Sequence, residues 1–302
     1  MPEVTFTTGE WTSTDGLVLR YRDYAKPDLP SPAGRPPMVC IPGLTRNARD
    51  FEPLAEAFAG EWRMVCVDLR GRGQSDYAKD PASYNPAQYA ADVALLFDHL
   101  GLKRAVMVGT SLGGIVTMLL AEATPERVAA AVLNDIGPEV EAAGLARIRG
   151  YVGQGRSFPT WTHAARALRE QAGHAYPGHD LSDWLRLARR LMCVSGSGRI
   201  VLDYDMKIAE LFNQPVGDEA VSNDADGIGG GGLWRSFGHL AGRPVLVLNG
   251  ELSDIVSPAT LARMQREVPG LQIATIPRTG HPPTLEEPEA LAAIGALLDG
   301  VA

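Results

Sequence analysis

The sequence predicts an α/β protein: a mostly parallel central sheet of about eight strands, flanked by helices and interrupted by an inserted helical lid. Three observations carry that expectation. Short apolar runs such as "MVCIPG", "RMVCVDL" and "RAVMVG" alternate with stretches of helical spacing, as strands covered on both faces do. The same alternation returns late in the chain, in "RPVLVLNG" and "LQIATIP". Between the two blocks, residues 138–240 keep a helical character and contain no clear buried strand.

The elements follow in order. "VTFTTGEW" and "LVLRYRDY" form a hairpin around the turn "TDG", and a proline-rich loop, "KPDLPSPAGRPP", comes next. "MVCI" is a strand, and "RDFEPLAEAFAG" is a helix that stops at Gly60. "RMVCVDL" is a second valine-rich strand. "PAQYAADVALLFDHLG" is a helix with Pro86 at its start and Gly101 at its end. "RAVMVG", "LGGIVTMLLAEAT" and "RVAAAVLND" then read strand, helix, strand. After the insertion, "RPVLVLNG", "PATLARMQREV", "LQIATIP" and "PEALAAIGALLDG" repeat the pattern twice. The organisation is therefore a first core part at 1–137, a lid at 138–240 that closes through the glycine-rich "DADGIGGGGLW", and a second core part at 241–302.

Composition narrows the function classes. With 302 residues, 45% of them hydrophobic and 21% charged, the chain has ample material for a large core. Its net charge of −8 argues against a nucleic-acid surface and fits a monomer or small homo-oligomer. Three cysteines cannot build a disulfide framework, and Cys40 and Cys66 lie inside apolar runs as buried thiols. The N-terminal residues lack a basic stretch followed by an apolar one, and no segment has transmembrane length. The expectation is a cytoplasmic protein with no membrane span.

The chemistry centres on Gly109-Thr110-Ser111-Leu112-Gly113, a G-x-S-x-G pentapeptide with a strand before it and a helix after it. Such a turn strains the serine backbone, and side chains at the flanking positions would strike neighbouring backbone. A serine hydroxyl needs a base and an acid to act as a nucleophile. His281 in "RTGHPP" and Asp254 in "ELSDIVSP" each follow a late strand, at the C-terminal sheet edge where open α/β sheets build their sites. The expected triad is thus Ser111, His281 and Asp254. Asp135, in "VLNDIGPE", also ends a strand and is the alternative acid, with a structural hinge as its preferred role. The N–H groups of Leu112 and Leu44 are the expected oxyanion donors, the latter from the loop "PGLT" after "MVCI".

These residues resemble the α/β-hydrolase superfamily, of the kind with a helical cap over the site. "DLRGRGQSD", residues 68–76, is similar to a D-x-R-G-x-G-x-S segment of many members and reads as structural, with Asp68 and Arg70 in local ion pairs. Many members have His-Gly where this chain has Pro42-Gly43. The resemblance implies cofactor-free hydrolysis through an acyl-enzyme, and serine at the elbow separates this chain from the branches that carry aspartate there. A carboxylic ester of a small or medium molecule is the expected substrate. Carbon–carbon bond hydrolysis of a β-diketone or ring-fission product, and a low-turnover ligand receptor, are the alternatives.

Other signals carry less. His174 and His179 in "HAYPGH" lack a third metal ligand nearby, so no metal site is expected. "GIGGGG" lacks the Lys-Ser/Thr of a phosphate loop. Arg186, Arg189 and Arg190 read as a solvated helix face. Of the apolar lid residues Tyr151, Phe158, Trp161 and Trp184, one or two are expected to touch substrate.

Overall fold

The computed structural model describes residues 4–25, 35–212 and 231–301. Most of the proline-rich loop, and the glycine-rich stretch up to residue 230, lie outside the described residues. Eleven strands and ten helices are described. The hairpin β1 (Thr7–Thr12) and β2 (Val18–Tyr24) turns through Gly16, whose φ of 84° suits a residue without a Cβ. It leads into β3 (Met38–Ile41), α1 (Glu52–Phe58), β4 (Met64–Asp68) and α2 (Pro86–Leu100). β5 (Ala105–Thr110), α3 (Leu112–Ala123) and β6 (Val128–Asn134) complete the first block. Asn85 caps α2 by accepting from the Gln88 N–H, and Gly101 ends it in the left-handed conformation.

The large sheet has eight strands in the order β1-β2-β4-β3-β5-β6-β10-β11, where β10 is Val245–Gly250 and β11 is Gln272–Ile276. β1 and β2 pair antiparallel, as do β2 and β4, and every other pairing is parallel. Alternate strand residues face opposite cores. Val39, Val65 and Met107 point to one side, against α2, α3 and α9 (Pro258–Glu267). Cys40, Cys66 and Val106 point to the other, against α1 and α10 (Pro288–Asp299). Cys40 and Cys66 are buried free thiols, and burial raises the Cys66 thiol well above its ordinary pKa.

The segment between β6 and β10 contains α4 (Ala142–Arg149), α5 (Trp161–Ala172), α6 (Leu181–Leu191) and α7 (Ile208–Phe212). It has its own small core, in which Trp184, Leu187 and Ala188 of α6 meet Ala164, Ala165 and Leu168 of α5. Two features depart from a purely helical insertion. β7 (Ser157–Phe158), β9 (Ile200–Leu202) and β8 (Met192–Val194) form a second, three-stranded antiparallel sheet. These strands are too short to show any period in the sequence. In addition, α8 (Gly231–Gly238) packs on α3, with Leu233 and Phe237 in the main core and not in the small one.

In the basic run of α6, Arg186 and Arg189 are exposed as expected of a solvated face, but Arg190 is not. Arg190 is buried and pairs with Glu286 at 2.5 Å, while Arg186 bridges Asp183 and Glu286. Its main chain is tied down too: the Arg190 carbonyl accepts from Asn47 Nδ2 and Arg49 Nε, both at 3.0 Å. Among the described residues, no helix is long and apolar enough to cross a membrane.

Candidate active site

Ser111 sits in the one-residue step between β5 and α3, with φ 51° and ψ −114°. A side-chain-bearing residue rarely adopts that conformation, and holding it costs about 1–3 kcal/mol. The flanking glycines make the step possible. A Cβ on Gly113 would lie 2.0 Å from the Ile41 carbonyl oxygen, and one on Gly109 would lie 2.4 Å from the Gly113 backbone. The strain is fixed from the next strand: Ser111 N donates to the Asn134 carbonyl at 3.0 Å. The serine therefore stands at the C-terminal edge of the sheet with the N-terminus of α3 behind it.

His281 reaches this point from the loop after β11 and is buried. Its Nε2 lies 3.0 Å from Ser111 Oγ, and its Nδ1 lies 2.8 Å from Asp135 Oδ2. With the ring proton on Nδ1, the imidazole donates to Asp135 and accepts from the serine hydroxyl. The histidine loop is also gripped from the insertion. Tyr176 Oη donates to the Pro282 carbonyl at 2.7 Å, and Gly280 N donates to the Ala175 carbonyl at 2.6 Å.

The carboxylate on His281 is Asp135, not the expected Asp254. Asp135 follows β6, has φ 57°, and is completely buried. Its Oδ1 accepts from Asn249 Nδ2 and Gly250 N, both at 3.0 Å, and its Oδ2 accepts from Ser253 Oγ at 2.7 Å as well as from the histidine. The loop after β10 thus supplies the donors that anchor the acid, not the acid itself. Asp254 turns instead toward the insertion, where both its oxygens are taken by Arg147 of α4, at 2.6 Å each. That guanidinium holds the Asp254 carboxyl below its ordinary pKa, outweighing partial burial. Asp135, the alternative acid of the sequence reading, is accordingly the carboxylate that meets His281.

The residues expected to supply the two oxyanion donors both lie near the serine. Leu112 is the first residue of α3, so its N–H has no acceptor within the helix. Gly43 and Leu44 line the same cavity as Ser111, and a Cβ on Gly43 would be 3.7 Å from Ser111 Cβ. Arg72 fixes this loop: fully buried, it donates from Nε to the Leu44 carbonyl at 2.9 Å and from Nη1 to Tyr89 Oη at 2.9 Å. Its neighbour Arg70 pairs with Asp92 at 2.7 Å and Asp15 at 2.9 Å. Asp68, expected in an ion pair, instead accepts the backbone N–H groups of Ala48 and Gln74. The segment 68–76 therefore braces the "PGLT" loop.

A cavity of about 130 Å³ opens over Ser111 and His281. That is close to the roughly 150 Å³ known to hold one benzene molecule, so it fits a small moiety. Tyr151, Phe158 and Trp184 line it, whereas Trp161 does not. Sequence reasoning missed Arg46, Arg147 and Arg156, which also line it. They are scattered along the chain, and no local pattern unites them. Among the described residues, no group of three His, Cys, Asp or Glu side chains could hold a metal ion. His179 stacks near Tyr176 and Trp184, with ring centroids at 4.9 and 5.4 Å.

Comparison with known proteins agrees with this architecture. A family model described as alpha/beta hydrolase fold matches residues 36–288. A crystal structure of an alpha/beta hydrolase from Novosphingobium aromaticivorans superposes with a TM-score of 0.88 at 55% identity, covering 99% of both chains. The 3-hydroxybutyrate-oligomer hydrolase of Cupriavidus necator is 33% identical over 264 residues, 86% of this chain and 87% of that protein. The 2-(acetamidomethylene)succinate hydrolase of Mesorhizobium japonicum is 28% identical, over 82% of this chain and 81% of its own length.

Proposed function

Because the chain belongs to the alpha/beta hydrolase family, we propose that it is a serine hydrolase of small carboxylic esters, acting through Ser111, His281 and Asp135. The observation that carries this reading is the continuous hydrogen-bonded chain from Ser111 Oγ to His281 Nε2 and from His281 Nδ1 to Asp135. Such an arrangement lets His281 take the serine proton as Oγ attacks the ester carbonyl, then deliver it to the departing alkoxide. Asp135 holds the imidazole in the productive tautomer and stabilises its cation. The tetrahedral oxyanion is met by the N–H groups of Leu44 and Leu112, each such donor being worth about 2.7–4 kcal/mol of barrier. Water, activated by the same histidine, then hydrolyses the acyl-enzyme and restores Ser111.

The likeness to a hydrolase of 3-hydroxybutyrate oligomers supports an ester over a carbon–carbon bond, since oligomers of a hydroxy acid are joined through esters. The test is turnover of a p-nitrophenyl short-chain ester beside a β-diketone. Wild-type protein releases a burst of p-nitrophenol, and Ser111→Ala lowers kcat by on the order of 10⁶. Full turnover by the alanine variant overturns the reading. Faster cleavage of the diketone than of the ester moves the assignment to carbon–carbon hydrolysis.

A further inference from the structure

The cavity carries positive charge that cleavage of a neutral ester does not use. Among the described residues, Arg46, Arg147 and Arg156 line it and no aspartate or glutamate does, in a chain whose net charge is −8. Two of the three are already matched from behind. Arg46 Nη1 donates to Asp50 at 2.8 Å, and Arg147 grips Asp254 with two bonds. Burial works against the charge on Arg46, but the facing Asp50 carboxylate more than offsets it, and Arg46 stays cationic. Arg147 is held in its charged form chiefly by its hydrogen bonds to Asp254.

Arg156 differs from both. It is exposed at the cavity wall, on the strand-like approach to β7, and makes no hydrogen bond or ion pair with another described residue. Its five N–H donors are therefore open to a ligand. The walls beside it have two characters: Phe158, Leu168 and Leu202 are apolar, while Tyr151 and Tyr176 are polar at their tips. Burial raises both tyrosines, Tyr176 to about 12, so both stay neutral at physiological pH. An aliphatic chain with an anionic end matches this lining better than a wholly neutral ester.

We propose that the substrate carries a free carboxylate away from the scissile ester, and that Arg156 receives that carboxylate. This rests on the ester-hydrolase reading above. The substrate class is then a short linear ester of a hydroxy acid with its acid end unblocked, its aliphatic part lying on Phe158, Leu168 and Leu202. A guanidinium suits this task because its planar donors match a carboxylate two at a time. Arg46 and Arg147 stay with Asp50 and Asp254, so the unmatched positive charge at the cavity is that of Arg156.

The experiment compares the ester dimer of 3-hydroxybutyrate, as the free acid, with the same dimer whose acid end is a primary amide. Wild-type protein favours the acid by about tenfold in kcat/KM, with the difference in KM. Arg156→Gln brings that ratio near 1, and Arg156→Lys retains part of it. Equal cleavage of both dimers by the wild type, or a preference that survives Arg156→Gln, overturns the proposal while leaving ester hydrolysis standing. A separate arm needs no turnover: the melting temperature of Ser111→Ala is measured with 3-hydroxybutyrate and with its amide. A rise with the acid alone, lost on adding Arg156→Gln, supports carboxylate binding even if no ester is cleaved, and an equal response to both ligands overturns it.

Discussion

Two loops at the same edge of the sheet each present an aspartate, and the structure uses them in opposite ways. Asp135, after β6, is completely sealed from solvent and accepts four hydrogen bonds, one of them from His281. Asp254, after β10, keeps 36% of its side chain exposed and is committed to Arg147. Both are aspartates in loops after parallel strands, Asp135 directly after β6 and Asp254 further along the loop after β10. The difference lies in which neighbours donate. Asn249, Gly250 and Ser253 turn three donors toward Asp135, so its charge is stabilised without a cation that would compete with the histidine. The single guanidinium on Asp254 occupies both of its oxygens, and it ties α4 to the sheet.

The largest test of that contrast is Asp135→Asn. It keeps the shape but presents an amide to His281 Nδ1, favouring the wrong tautomer, and should lower kcat for the ester by roughly 10³–10⁴. Asp254→Asn should change kcat by less than about threefold, and the reverse ranking would return the acid to the β10 loop. Ser253→Ala lies between them. It removes one donor from Asp135 Oδ2 while leaving the histidine bond, and about a tenfold fall in kcat is expected, or roughly 1.4 kcal/mol.

The smallest effect is on stability and its pH dependence. The Arg147–Asp254 pair is partly exposed, so Asp254→Asn should cost below about 1 kcal/mol in thermal unfolding. The Asp254 pKa is lowered in the fold from 3.8, so its contribution is complete above that value and is lost only as pH falls through the lower, folded one. The melting-temperature gap between wild type and Asp254→Asn should hold constant from pH 8 to pH 5 and close only below 3.8. A gap that closes near neutrality would show that another titrating group controls this contact.

The contrast also marks where the sequence stops being readable. The sheet was legible because its strands are buried on both faces and so appear as unbroken apolar runs, as "MVCI" and "AVMVG" do. That Ser111 and His281 would meet was legible because a strained elbow needs glycines at fixed positions, and the histidine follows in a set order. Which carboxylate would meet His281 was not, because both aspartates satisfy the order. The donors of Asn249, Gly250 and Ser253 and the reach of Arg147 separate them, and all are contacts across more than 100 residues of chain. Arg190 escaped for the same reason: its burial depends on Glu286, far off in sequence. The two- and three-residue strands of the insertion left no periodic trace.

The grip of Ala175 and Tyr176 on the loop of His281 has a consequence for anyone who would re-engineer the molecule. A Cβ on Gly280 would lie 2.8 Å from the Ala175 Cβ, so the two backbones meet with no space between them. The insertion is therefore no interchangeable module that can be cut out at β6 and β10 and replaced by another. A graft that omits the Ala175–Tyr176 step takes away the outer wall against which the His281 loop is registered. Chimeras meant to change specificity should keep that step with the sheet and redraw their junctions inside the insertion.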